Sequence, residues 1–503
     1  MDNLREGKFM NRKPNIVYFV ADQMRCDSMA HMGNPASITP NLDSILEDGI
    51  SFENAYCQNP VCVPSRCSFL SGLYPHTTGH RTIHYLQNPD EPNFLRTMKN
   101  NGYEVIWIGR NDIIPANRSK EPYCDAYFDG FHEEDRKTFI RNEPLYSGVK
   151  SGKKIDTTVP GYYSFYVGKK ESASPSMMDL DWNCIKSALD YIERKSNEVD
   201  SKPFFLYITL TFPHPPYGCE EPWYSSIDRS KLLPRRPSVR NLKDKPSMLK
   251  EICEKQNLEE GWNEEQFTEL RATYLAMVSR FDHQYGLIKE KLKACDLYDD
   301  TSIFVFSDHG DYTTDYGVAE KVQNCFEDPI TNIPLLIKPA KRFECMPRKT
   351  NALAELVDLT ETVCEMTGIK TEYVNFGKSL LNVISGNDTH KEAVFCEGGR
   401  VHGETWAMEL GHEKESHYWP RLSTQSQEGP QHTKAVMIRM GNYKYVYRLY
   451  EKDEFYNLEE DAQELSNQID NQKYESEINK MKLKILDWFV ETGDIVPNRK
   501  DVR

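Results

Sequence analysis

The sequence predicts an α/β protein: a mostly parallel sheet flanked by helices, followed by a smaller α+β subdomain. Three observations carry this reading. Apolar runs of strand length alternate with amphipathic helical patterns through residues 1–388. Several of those runs end on an acid or a histidine. Over 389–503 the pattern changes to short strands with tight joins and a terminal helix.

The elements follow in order. PNIVYFVAD (14–22) is a buried parallel strand whose carboxyl end carries Asp22 and Gln23, the end at which open α/β sheets bind ligands. TPNLDSILEDG (39–49) has a threonine cap, a first-turn proline and a closing glycine, so it reads as a short helix. EPNFLRTMKNNGYEVIWIG (91–109) is helix, glycine stop, then a second strand. Met178, Trp182, Ile185, Leu189 and Ile192 lie three and four apart, giving an amphipathic helix over 177–195. PFFLYITLTFPHPP (203–216) is a third strand, and 264–293 repeats the helical spacing. TSIFVFSDHGD (301–311) is a fourth strand ending on an acid, and IPLLIK (333–338) a fifth. VFCEG (394–398), KAVMIRM (434–440) and YKYVYRLY (443–450) are strands of the second unit, with a turn at Gly441-Asn442 and a helix near 474–492. Segments 113–175 and 218–262 are polar and proline-bearing and read as surface insertions. No internal repeat is present.

Composition bounds the function. The chain has 503 residues, 39% hydrophobic and 28% charged, which fits a globular protein with a large core. A net charge of −15 argues against nucleic acid or an anionic membrane as partner, while a few arginines can still gather an anion locally. No apolar run reaches transmembrane length, and MDNLREGKFMNRKPN lacks the apolar centre of a leader, so the expected location is cytoplasmic. The 13 cysteines are odd in number and show no disulfide spacing, in agreement.

The strand ends supply the chemistry. Asp22 with Gln23, His214, and Asp308 with His309 are brought to one edge by a doubly wound sheet. Two carboxylates, an amide oxygen and an imidazole suit a hard divalent cation. The plainer alternative is that such acids only cap the next helix. In NPVCVPSRCSFLSG (59–72), Cys62 is either a small core residue or a functional one. Cys57, Cys62 and Cys67 are five apart, which does not suit zinc. A helix beginning at Pro64 would aim free N–H groups at Cys62, and Arg66 one turn in could fork onto the same anion. His76, His80 and His84 are four apart, but Pro75 and Gly79 argue for a loop rather than a metal-binding helix face. HGETWAMELGHEKESHYWPR (402–421) holds aromatic residues able to stack on a sugar or cage a cation, or is simply a folded surface insertion.

At this point the motifs resemble a known family. Cys62-Val-Pro-Ser-Arg66 followed by SFLSGLYPH resembles the signature of the type I, formylglycine-dependent sulfatases of the alkaline phosphatase superfamily. NIVYFVADQ, TPNLDSILEDGISFENAYCQNPVC, FSDHGDYTTDYGVAEK and DEFYNLEEDAQELSNQ resemble the family's first strand, signature approach, second metal motif and tail. The pairs Asp22-Gln23 and Asp308-His309 resemble the branch of choline sulfatases and phosphonate monoester hydrolases. The resemblance implies an alkaline-phosphatase-like fold and a sulfuric ester hydrolase acting on a small sulfated compound such as a sulfated sugar. It implies that residue 62 would be oxidised to formylglycine, whose hydrate, with a hydroxyl made acidic by the metal, would attack sulfur and later reform the aldehyde. It implies one divalent metal, Ca²⁺ first with Mg²⁺ or Mn²⁺ as alternatives, on Asp22, Gln23, residue 62, Asp308 and His309. Arg66 steadies the nucleophile and the metal carboxylates. Lys321 meets the sulfate oxygens and His214 the leaving oxygen. Arg110, Asp112 and, of the three histidines, His84 are the expected substrate-pocket residues of this chain itself. The implied partners are an anionic sulfate ester and a formylglycine-generating enzyme, with no nucleic acid or membrane; a homo-oligomer is allowed. One departure stands out: Gly109-Arg110-Asn111-Asp112 occupies the place of a Gly-Lys-x-His string in many members. A phosphonate monoester or phosphodiester hydrolase using the same nucleophile, and an inactive anion-binding relic, are the competing readings.

Overall fold

The structure, a computed structural model, describes residues 13–131, 157–170, 180–199, 202–409 and 412–496. The strands in chain order are β1 (Asn15–Asp22), β2 (Ile50–Tyr56), β3 (Glu104–Gly109), β4 (Ala126–Phe128), β5 (Tyr166–Lys169), β6 (Phe204–Pro213) and β7 (Tyr217–Cys219). They continue with β8 (Thr301–Ser307), β9 (Leu335–Lys338), β10 (Arg348–Glu355), β11 (Val394–Gly398), β12 (Ala435–Met440), β13 (Tyr443–Arg448) and β14 (Glu454–Asn457). Eight of them form one sheet in the order β10-β2-β9-β8-β1-β6-β3-β4. Neighbours run parallel except where β9 lies antiparallel to β2 and β8. The connection from β8 to β9 holds only a 3₁₀ turn and the one-turn helix Asp328–Thr331, with no longer crossover helix.

β1 shows why the strands read as unbroken apolar runs. Ile16, Tyr18 and Val20 face one core, and Val17, Phe19 and Ala21 the other. Helices Phe94–Asn100 and Asp358–Thr367 cover the first face; Leu180–Ser196 and Glu264–Ala294 cover the second. Met178, placed on the 177–195 helix by spacing, lies outside the described residues.

Two features differ from the sequence reading. ISFENAY and RKTNALAE are strands of the large sheet although their apolar runs are broken by polar residues; β10 is an edge strand, where polar side chains are tolerated. Segment 218–262 is not a mere surface insertion: Val239, Met248, Leu249 and Ile252 pack on Tyr312, Tyr316 and Val318 of the loop after β8. The helix Ser247–Gln256 buries one face only, so its average polarity concealed it. Of 113–175, residues 132–156 and 171–175 lie outside the described residues.

Strands β11-β12-β13-β14 form an antiparallel sheet, and Ile478, Met481, Ile485 and Trp488 of the helix Glu475–Thr492 join its core. Among the described residues no helix is long and apolar enough to cross a membrane. None of the 13 cysteines is in a disulfide.

The two sheets are bolted together by buried charges. Lys444 Nζ donates to Asp328 Oδ1 at 2.5 Å and Glu464 Oε1 at 2.6 Å. Lys245 Nζ lies 2.8 Å from Glu327 Oε1 and donates to the Tyr456 hydroxyl at 3.1 Å. Burial alone would raise the Glu327 carboxyl, but Lys245 draws it from 4.5 down to about 2. A carboxyl depressed on folding contributes stability above its unfolded value and loses it as pH falls through the folded one. Urea unfolding is therefore expected to show stability draining away between about pH 4.5 and 2. Lys245→Met should lower stability above that window and flatten the acid limb; parallel pH profiles for both proteins would refute the assignment.

Candidate active site

Strands β8, β1, β6 and β3 are parallel neighbours, so their carboxyl ends share one edge. They deliver Asp308 and His309, Asp22 and Gln23, His214, and Arg110 with Asp112. Gly109 makes the last turn possible: it sits at φ +106, and a Cβ there would stand 1.9 Å from the Thr209 carbonyl oxygen. Cys62 arrives from the segment after β2, at the first position of the helix Cys62–Phe69. That corrects the expected start at Pro64. First-turn N–H groups have no intrahelical acceptor, so Pro64 is accommodated inside the turn.

Asp22, Cys62, Asp308 and His309 are buried, and their ligand atoms all lie within 4.8 Å of one another. Cys62 Sγ is 3.2 Å from His309 Nε2 and 3.7 Å from Asp22 Oδ1. The outer oxygens of the carboxylates are taken by arginine. Arg66 Nε donates to Asp308 Oδ2 at 2.9 Å and Nη2 to Asp22 Oδ2 at 2.9 Å. The inner Oδ1 atoms lie 3.8 Å (Asp22) and 3.7 Å (Asp308) from His309 Nε2. His309 Nδ1 lies 2.9 Å from the Gly310 carbonyl, which can only accept, so Nδ1 carries the proton and Nε2 offers a lone pair inward. Two carboxylate oxygens and an imidazole lone pair converging in a buried site fit a divalent cation. Gln23 sits at the edge, at φ +70, a backbone strain typical of functional sites. Its Oε1 accepts from Lys321 Nζ at 2.8 Å, and its Nε2 donates to Asp311 Oδ2 at 2.6 Å.

The protonation states are set by surroundings. Burial, then the Asp22 charge, push the Cys62 thiol far above its ordinary value, the reverse of an activated thiolate. Lys321 Nζ lies 3.0 Å from His214 Nε2 and 3.1 Å from Glu320 Oε1. Burial, then the lysine charge, hold His214 well below the usual histidine value. His214 Nδ1 donates to the Pro215 carbonyl at 2.6 Å, which leaves Nε2 as the acceptor of the Lys321 proton.

The Gly109–Asp112 string is organised by ion pairs. Arg110 Nη1 lies 2.9 Å from Asp22 Oδ2 and its Nε 2.7 Å from Asp112 Oδ2. Asp112 also lies 3.7 Å from Arg66 Nε. A carboxylate held between two guanidiniums is a counter-ion rather than a proton donor. The histidine series does not converge on a metal. His76 bridges Glu397 and Thr492, and His80 bridges the Tyr85 carbonyl and Glu91, because Pro75–Thr78 makes one turn and stops at Gly79. His84 is exposed, beside His412. Cys67 is buried in the core. Spacing gave no signal for Asp311, which accepts from Gln23, Tyr217 and Thr313 and so anchors the Gln23 amide.

A profile of the Sulfatase family matches residues 14–369. The chain belongs to the sulfatase family. It is 24% identical over 96% of its length to the multifunctional alkaline phosphatase superfamily protein PehA of Trinickia caryophylli, 96% of which is covered. It is 24% identical over 91% of its length to a choline-sulfatase of Rhizobium meliloti, 83% of which is covered. The phosphonate monoester hydrolase structure from Agrobacterium radiobacter superposes with a TM-score of 0.72 at 20% identity, covering 95% of this chain and 96% of that one. This sulfatase-family hydrolase therefore has the alkaline-phosphatase-like architecture that the motifs predict.

Proposed function

We propose that this sulfatase hydrolyses a small sulfated compound, such as a sulfated sugar, with a formylglycine hydrate made from Cys62 as nucleophile. The observation that carries the reading is the meeting of Cys62 with Asp22, Asp308 and His309 beside Lys321 and Arg110. A divalent cation on Asp22, Gln23, Asp308 and His309, Ca²⁺ before Mg²⁺ or Mn²⁺, supplies the Lewis acidity that lowers the pKa of the attacking hydroxyl. Arg66 fixes both carboxylates, and Arg110 is aimed by Asp112. Lys321 and Arg110 offset the charge that builds on the transferring group. The proton for the leaving oxygen is held at the Lys321–His214 pair, with Lys321 as carrier.

The second reading, hydrolysis of a phosphonate monoester or phosphodiester, is supported by the resemblance of the Asp22-Gln23 and Asp308-His309 pairs to the branch that includes phosphonate monoester hydrolases. Comparative kinetics separate the two. With converted, metal-loaded protein, kcat/KM for 4-nitrophenyl sulfate is expected to exceed that for an aryl phosphonate by about tenfold or more. The opposite order would transfer the assignment to the phosphonate. Intact mass of the peptide around residue 62, from protein made with a formylglycine-generating enzyme, should show the aldehyde. An unmodified thiol with no turnover would mark an anion-binding relic.

A further inference from the structure

We propose that Arg421 and Glu409 form a subsite that recognises a pair of neighbouring hydroxyls on the leaving alcohol, so that the preferred esters are sugar or polyol sulfates. This rests on the hydrolase reading above and names the alcohol it leaves open.

Arg421 lies in the helix Trp419–Gln425, docked by Lys255, whose Nζ donates to Thr424 Oγ1 at 2.8 Å and Ser423 Oγ at 3.1 Å. It is 4% exposed, yet neither its Nε nor its Nη1 finds a hydrogen-bond acceptor among the described residues. A buried guanidinium with two idle donors is costly unless something else fills them. Glu409, 1% exposed, lies in the same neighbourhood; its Oε1 accepts from the Ile83 N–H at 2.8 Å, while Oε2 has no donor.

These idle groups stand beside the reacting centre. Glu320 joins them to it: Oε1 is 3.1 Å from Lys321 Nζ and Oε2 is 3.9 Å from Arg421 Nε. Lys321 in turn reaches Gln23 and His214. Arg421 is thus the next charged group beyond Lys321, which itself touches His214. Glu320 holds this bridging position at φ +70, a left-handed conformation that disfavours a non-glycine residue.

The charge balance chooses the ligand. Glu320 and Glu409 already offset Arg421 and Lys321, so no spare positive charge remains for a second anion. What is idle is two donors and one acceptor. A ligand must accept and donate at once, as adjacent hydroxyls do. An aryl or quaternary-ammonium alcohol offers no such donor and would leave Glu409 Oε2 unpaired. The Tyr418 ring, 5.4 Å from the Arg421 guanidinium, adds an apolar surface beside the polar pair.

The test uses the converted, metal-loaded enzyme with 4-nitrophenyl sulfate and with glucose, galactose and N-acetylglucosamine monosulfates. At least one sugar sulfate is expected to exceed the aryl ester in kcat/KM. Arg421→Gln, Arg421→Lys and Glu409→Gln should each lower that sugar-to-aryl ratio at least about tenfold. Melting curves establish folding; if both Arg421 variants fail to fold, the near-isosteric Glu409→Gln decides. An aryl ester that outpaces every sugar sulfate overturns the subsite and leaves the hydrolase reading intact. So does an unchanged ratio, or an equal fall on both substrates. Absence of turnover on every ester would sink the hydrolase reading itself.

Discussion

Replacing Cys62 by alanine is expected to abolish turnover, by a factor of about 10⁵ or more, while the melting temperature stays within a few degrees of the parent. The two effects separate because of where the side chain points. Cys62 is 5% exposed, but its sulfur faces His309 and Asp22 rather than an apolar cluster. Truncation removes one atom from a polar site, a loss of about 1 kcal/mol, not the several that a core cavity costs. Cys67 is the internal control: it is buried, and its backbone carbonyl accepts from Gln87 and Ser71. Kinetics and calorimetry on Cys62→Ala and Cys67→Ala decide the matter. Surviving turnover in Cys62→Ala would place the nucleophile elsewhere, and a collapse of its melting temperature would make Cys62 a packing residue.

Arg66→Met should be the most damaging single change to the metal-free protein, costing about 3–5 kcal/mol. Arg66, Asp22 and Asp308 have fully buried side chains. Without the guanidinium Asp308 loses its only ion-paired arginine among the described residues, while Asp22 keeps Arg110. The buried negative charge must then find another partner. A divalent cation is that partner, and a ligand that binds only the folded state stabilises it by mass action. Urea unfolding with chelator and with millimolar Ca²⁺ should show a large loss in the first condition and recovery of most of it in the second. Equal losses in both would mean that the carboxylates do not face a metal. No loss in either would mean that Arg66 is not their counter-charge.

Much of this was legible because the large sheet writes its function at strand ends. Apolar runs stopping at Asp22, His214 and Asp308 fixed both the layer and the edge, since parallel neighbours must end together. The edge strand β10 was not legible, because a strand with a solvent-facing margin loses the unbroken apolar run. The start of the Cys62–Phe69 helix was misplaced because proline is tolerated anywhere in a first turn. Arg421 and Glu409 were hidden for another reason. Their meaning lies in contacts with Glu320 and Ile83, far away in sequence, which no local period records. The spacing of His76, His80 and His84 was legible for what it is, since Pro75 and Gly79 mark the single turn that keeps them off one helix face.

The Lys444 clamp carries a consequence in time. Lys444 and Glu464 close on Asp328, in the segment that follows Lys321, so that segment stays unfinished until the last strands have left the ribosome. For most of its synthesis the nascent chain holds Cys62 without the surroundings that finally enclose it. On the formylglycine chemistry proposed above, a maturing enzyme would find its opening then, before release, and would lose it once the chain's own tail has folded home.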